Sequence, residues 1–231
     1  RDRGAQPRRT PRRGWHGHGA SPEPRADLIE QFHVTQTPIS RVYDIAVREF
    51  TWDLMWSLVD GNERRLNIAY ECLDRHPRDR TALRIQFDDG HTETYDFGRL
   101  SDLSSRWAHL LAARNVRKSD RVALFMHPSL HFYAGLFGIL KLGAVAVPLY
   151  PLFGPEGLKL RLDYAQPRFV LVTDAGMEHD LGISSILLKV DAALEEELES
   201  QANNFETDTA ASDDALIQFT SGTTRMMPQP I

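Results

Sequence analysis

The chain is poor in cysteine, in long apolar runs and in the common catalytic fingerprints. Its one cysteine, Cys72, excludes an internal disulfide and a thiolate-rich metal site. A reducing, cytoplasmic setting fits that usage. No apolar stretch approaches the roughly 20 residues of a membrane span before charge, Gly or Pro interrupts it, so no span is expected. Also absent are G-x-x-x-x-G-K-[ST], G-x-G-x-x-G behind a strand, G-x-S-x-G and H-E-x-x-H. Their absence removes the P-loop, dinucleotide-fold, hydrolase-elbow and zincin readings.

What is present describes an ordinary globular protein. The 231 residues are 42% hydrophobic and 26% charged, enough for one large domain or two small ones. Charge is uneven. Residues 1–25 carry seven arginines against Asp2 and Glu23, a balance of +5, and the chain's net −5 leaves −10 on the other 206 residues. An acidic body argues against a general nucleic-acid binder. Residues 1–26, rich in Arg, Pro and Gly, cannot bury enough apolar surface to offset chain entropy and are expected to be a disordered basic arm. The start at Arg1 instead of Met suggests a partial record or an upstream stretch read through.

From residue 40 the pattern becomes periodic. Arg41–Val59 reads as a helix, with Val42, Ile45, Ala46, Phe50, Leu54 and Leu58 at three- and four-residue spacing. Leu66–Leu73 reads as another. Ala82–Phe87 and Thr92–Phe97 flank Asp88-Asp89-Gly90, which predicts a β-hairpin. Residues 99–114 follow as an amphipathic helix. A strand–helix alternation then begins: strands at 121–126, 144–149, 169–173, 186–190 and 215–219, helices at 129–142, 155–164 and 192–200. Short apolar strands separated by helices predict an α/β fold with a largely parallel sheet flanked by helices. In such a sheet, ligands gather beyond the carboxyl ends of the strands.

Most chemistry-bearing residues have plain structural readings. His127 and His131 stand four apart, but Pro128 places the first outside the helix, and a metal pair is disfavoured. Trp52, Trp56 and Trp107 are expected to pack in a core or between subdomains. Lys141-Leu142-Gly143 reads as a helix end that suits the helix dipole and cap. Pro151–Pro155 punctuates a loop at a strand end. The exception is Thr220-Ser221-Gly222-Thr223-Thr224, which follows the last predicted strand. Four hydroxyls, successive N–H groups and a glycine open to close approach suit anionic oxygen.

Phe219 to Thr224 resembles the phosphate-binding signature of the adenylate-forming (AMP-binding) enzymes, which include acyl-CoA synthetases, luciferases and peptide-synthetase adenylation domains. Asp120-Arg121-Val122-Ala123-Leu124 resembles that superfamily's "GDRVAL" strand. Residues 138–149 resemble its "GILKAGAVAVPL" unit. Leu66–Tyr70 with Cys72–His76, and Leu152–Leu158, are similar to the "LNIAYNCLDRH" and "LFGPEAL" segments of the acetyl-CoA and medium-chain acyl-CoA synthetase branch. The resemblance covers about residues 40–224. It implies that residues 27–231 are the first part of an adenylate-forming enzyme's large N-terminal domain, truncated, with the C-terminal half of the enzyme missing.

It also implies an AMP-forming acid–CoA ligase. Such an enzyme joins a carboxylic acid to ATP, with Mg2+ assisting, and passes the acyl group to coenzyme A. Thr220, Ser221, Gly222, Thr223 and Thr224 would hold the β- and γ-phosphates. The partners implied are the small-molecule acid, ATP and CoA, with no nucleic acid and no membrane span. Catalytic residues are not identifiable, no metal ligand is assigned, and the chain alone is expected to be inactive. A non-catalytic nucleotide- or partner-binding module derived from such an enzyme is the alternative.

Agreement ends abruptly. Where the family continues "TSGTTG-x-PK-G", this chain reads Arg225-Met226-Met227-Pro228-Gln229-Pro230-Ile231. Arginine lacks glycine's freedom at positive φ, and glutamine brings no charge to phosphate. A frame slip near Thr224 is the expectation. Sequencing the locus checks it: a shifted frame resuming with glycine, proline and lysine is expected, and an open frame encoding this same tail rejects the slip.

Overall fold

The computed structural model describes residues 47–173 and 186–220, together with the backbone of 229–230. The predicted arm, residues 1–26, lies outside them. The chain divides into two units between Leu58 and Val59.

In the first unit the helix expected over Arg41–Val59 is interrupted. Residues 47–49 are helical, and α1 (Trp52–Ser57) starts afresh after Thr51; residues 41–46 lie outside the described set. Thr51 is extended (φ −139°, ψ 153°), and its hydroxyl accepts the Leu54 N–H at 3.1 Å. It therefore acts as an N-cap inside the predicted periodicity. Trp52 does not join a core, one of the two expectations for it: it is 63% exposed and meets Phe50 edge-on at 5.5 Å.

The second unit opens with a side-chain cap. Asn67 Oδ1 accepts from the N–H groups of Ala69 and Tyr70 and starts a helical segment that widens into a π-helical turn over Tyr70–Asp74. The predicted hairpin follows as β1 (Thr81–Gln86) and β2 (Thr92–Asp96), antiparallel, with Gly90 at φ +85° in the turn. A positive φ there is what glycine supplies without strain. Asp96 then caps α2 (Phe97–Ala113), accepting from Arg99 N at 2.6 Å.

The core is a four-stranded parallel sheet in the order β4-β3-β5-β6. Its strands are β3 (Arg121–Phe125), β4 (Val145–Leu149), β5 (Phe169–Val172) and β6 (Ile186–Lys189). Helices α3 (Leu130–Lys141), α4 (Pro155–Ala165) and α5 (Ala192–Glu199) lie between and beyond them. The expected α/β class holds. Alternation divides the apolar residues between the faces. Val122, Leu124, Ala146, Phe169 and Leu171 pack with α2, α3 and α5 around Trp107. Ala123, Phe125, Val147, Val170 and Val172 pack with Leu158, Leu162 and Ala165 of α4.

The expected final strand, 215–219, is shorter than its sequence suggested. Residues 215–217 run parallel beside β4 through one bridge, Ala146 to Leu216. Beyond it, β7 (Phe219–Thr220) turns to pair antiparallel with β8 (Gln229–Pro230). Leu216 is exposed, so only alternate residues of this stretch have a core to bury into.

Two contacts fix α3 against α2. A Cβ on Gly138 would fall 2.5 Å from Trp107 Cβ and 2.8 Å from the Ser104 carbonyl oxygen, so the helices meet backbone to backbone. One turn on, the helix ends at Lys141 as the sequence indicates, and its side chain is buried. Its Nζ reaches Asp74 Oδ1 and Ser105 Oγ at 2.8 Å and the Ser101 carbonyl at 3.1 Å. Burial draws this ammonium below its ordinary range, and Asp74 opposes the shift.

Gly138→Ala is expected to lower unfolding stability by about 2 kcal/mol through overpacking. Lys141→Ala is expected to cost about 3 kcal/mol because Asp74 loses its partner, and Lys141→Met with Asp74→Leu to recover most of it. Denaturant titration checks both.

Candidate nucleotide-binding site

The strand order places the carboxyl ends of the sheet along one edge of the second unit. From β3 the chain steps to β4 by way of α3, then returns across β3 to β5 by way of α4, which lies on the opposite face. The reversal falls between β3 and β5, the position where open α/β sheets form a crevice. Residues 215–217 run parallel with β4, so the chain leaves them towards this same edge, on the side of β4 away from β3.

An aromatic cluster around Arg161 holds that exit. Phe153 comes from the loop after β4, Arg161 and Tyr164 from α4, and Phe219 from β7. The Arg161 guanidinium carbon lies 3.7 Å from the Phe153 ring centre and 5.7 Å from that of Phe219. Tyr164 meets Phe219 edge-on, with centroids 5.8 Å apart. Ile217, Phe153 and Phe219 also rest on the core beneath α4.

Of the residues expected to hold phosphate, Thr220 continues from Phe219 in β7 and pairs through its backbone with Gln229. Ser221, Gly222, Thr223 and Thr224 lie outside the described residues. The described part of the segment is therefore the backbone of Thr220 alone. Where a lysine is expected after proline, Gln229 lies in β8.

Residues 70–225 match the AMP-binding enzyme family. The chain belongs to it. Over 175 residues it is 29% identical to an acetyl-coenzyme A synthetase from Pasteurella multocida (strain Pm70), covering 74% of this chain and 25% of that protein. The fold resembles that of the Brucella canis acyl-CoA synthetase, with TM-score 0.71 and 24% identity across 82% of this chain and 37% of that one. It also resembles that of ATP-bound MatB from Rhodopseudomonas palustris, with TM-score 0.57 and 22% identity across 71% and 34% of the two chains. At these identities the structural likenesses speak to fold alone. The chain spans about a quarter of the length of the curated relative it matches.

In this chain the upstream family-like motifs mostly build the scaffold. Arg121 Nε donates to the Ala165 carbonyl at 2.7 Å, closing the end of α4, while Asp120 accepts from Arg117 N and pairs with Arg168. Asn67 Nδ2 donates to the Leu140 carbonyl at 2.8 Å and to Thr209 Oγ1 at 3.0 Å, joining three distant segments. Sequence reasoning missed Lys141 and Arg161. A signal for the second existed: Arg161 interrupts the apolar stripe Leu158, Leu162, Ala165 of α4, where aliphatic residues are the rule.

Other candidate positions are occupied structurally. A cleft of about 290 Å³ lies between Asp60, Asn62, Arg65 and Tyr70. The Glu71 carboxylate there is already held. Burial pushes it up, but the N–H groups of Asp60 and Gly61 and the Arg75 guanidinium outweigh that and lower it overall. Among the described residues no three His, Cys, Asp or Glu side chains gather into a metal site. Ser129 caps α3, which leaves His127 outside the helix and exposed.

His131 is packed within the α2–α3–α5 layer. Its Nε2 lies 3.2 Å from Glu195 Oε1, its ring meets Trp107 edge-on, and its Nδ1 is buried without a partner. Burial lowers its pKa below 6.5, and Glu195 only partly restores it. The unfolded chain therefore takes up this proton at higher pH than the folded one. The stabilisation is complete above about pH 6.5 and is lost as pH falls through the lower folded value. Denaturant midpoints at pH 7.5 and 5.0 are expected to converge in His131→Gln relative to the parent.

Proposed function

We propose that this chain carries the triphosphate-holding part of an AMP-forming carboxylic acid–CoA ligase. The observation that carries the reading is the hydroxyl-rich segment Thr220–Thr224, which leaves Phe219 at the carboxyl edge of a parallel sheet. Residues 27–231 are on this reading part of the ligase's N-terminal domain, and residues 1–26 a basic arm. The parent reaction joins an acid carboxylate to the α-phosphorus of ATP, expels pyrophosphate, and transfers the acyl group to the thiol of CoA. A cytoplasmic setting goes with it.

The residues suit a positioning role. Hydroxyls and N–H groups of Thr220, Ser221, Gly222, Thr223 and Thr224 donate to β- and γ-phosphate oxygens, restraining the leaving group while charge develops on it. Magnesium would neutralise part of that charge. The described residues gather no cluster of three His, Cys, Asp or Glu side chains that could hold it.

The 231-residue chain is inactive alone on this reading, because the contacts for acid, adenine and CoA belong to the remainder of the enzyme. Arg225 and Gln229 favour a second reading, a module that binds nucleotide without chemistry. Titration calorimetry tests the phosphate role that both readings share. Saturable ATP binding that tripolyphosphate displaces is expected, weakened about tenfold in Ser221→Ala and in Thr223→Val through loss of a hydrogen bond to a charged group. A flat titration rejects the phosphate role. Pyrophosphate release with acetate, butyrate or octanoate overturns the inactivity.

A further inference from the structure

We infer that Arg161 is a positioning residue whose buried guanidinium, stacked on Phe153 and facing Phe219, fixes the position of Phe219 at the entry to the Thr220–Thr224 segment. Arg161 is only 9% exposed, and its Nη1 donates to the Gly157 carbonyl at 2.7 Å. Its Nε is buried with no partner, and no carboxylate pairs with it among the described residues. An unpaired buried cation costs several kcal/mol, whereas leucine or methionine would fill the same stripe at no such cost.

The compensation visible around Arg161 is aromatic. A guanidinium 3.7 Å from the Phe153 ring centre gains about 2 kcal/mol when desolvated. Phe219 lies farther off, at 5.7 Å, and Tyr164 closes on it from the next turn of α4. Phe153 and Phe219 belong to two separate chain segments, one following β4 and one leaving the 215–217 stretch. The planar cation stacks on the first and lies within cation–π range of the second, and so links the two segments. Because Phe219 immediately precedes Thr220, fixing its ring fixes the direction in which the hydroxyl segment starts. A positive charge with no carboxylate partner among the described residues also lies near Phe219, the residue that precedes that segment. The role of this charge in ligand binding rests on the phosphate reading above; the anchoring of Phe219 does not.

The test uses the whole 231-residue chain with two readouts, amide hydrogen exchange and tripolyphosphate titration. Arg161→Met, which removes charge and plane together, is expected to speed exchange over residues 217–220 by about fivefold, the loss of a cation–π contact of about 1 kcal/mol. Exchange in β3 should stay unchanged. Tripolyphosphate affinity should fall about tenfold. Arg161→Lys keeps the charge without the plane, so it should recover part of the affinity while exchange stays fast. Phe153→Leu removes the stack from the other side and should reproduce the fast exchange with Arg161 intact. Unchanged exchange at 217–220, or a uniform rise across the sheet, overturns the positioning role and leaves Arg161 as core filling. If the exchange response is present but the parent chain binds no tripolyphosphate, positioning stands and the phosphate reading falls.

Discussion

Burial of β3 on both faces is the constraint on which the rest of the second unit depends. Val122, Ala123, Leu124 and Phe125 are all fully buried, and their side chains point alternately to opposite sides. Each side has to be covered. A parallel sheet meets that need through crossovers long enough to hold a helix, and here α3 covers one face and α4 the other. The backbone approach at Gly138 and the buried Lys141 then follow as consequences of seating α3 close to α2. Lys141 reaches Asp74, Ser101 and Ser105 from the end of α3, linking the π-helical turn to both helices.

That same arrangement lines up the strand ends. Crossovers that return every strand in one direction place the carboxyl ends of β3, β4 and β5, and the exit past residues 215–217, along one edge. The exit lies beside β4, not at the reversal between β3 and β5. An anchor is therefore needed to hold it, and the cluster of Phe153, Arg161, Tyr164 and Phe219 supplies one. The polar groups with the strongest structural duties, Lys141 and Asn67, serve the opposite need of joining segments distant in sequence.

Much of this fold is legible in the sequence. Alternation and apolar runs place β3, β4, β5 and the hairpin within a residue or two, because both signals depend on local periodicity alone. Capping residues mark α2, α3 and α5, as Asp96, Ser129 and Asp191 show. What escapes is non-local. Thr51 breaks an otherwise continuous periodicity by capping a new helix. Residues 215–219 look like a full strand but find only one bridge, since pairing depends on a neighbour that local pattern does not specify. Lys141 reads as a helix end, and its burial shows only when the fold brings Asp74 to it from 67 residues away. Of the candidate site, the hydroxyl segment was legible by composition and by family resemblance, whereas Arg161 requires the packing of α4 to be seen.

Membership in the AMP-binding enzyme family makes the hydroxyl segment the centre of the functional account, and Phe219, which precedes it, rests on the core beneath α4. The most direct measurement is a crystal structure of the 231-residue chain with a non-hydrolysable ATP analogue. The account predicts β- and γ-phosphate oxygens within hydrogen-bonding reach of Thr220–Thr224, with Phe219 facing the Arg161 guanidinium that stacks on Phe153. Phosphates bound elsewhere, for example in the cleft at Asp60 and Arg65, with that segment free of ligand, would contradict it.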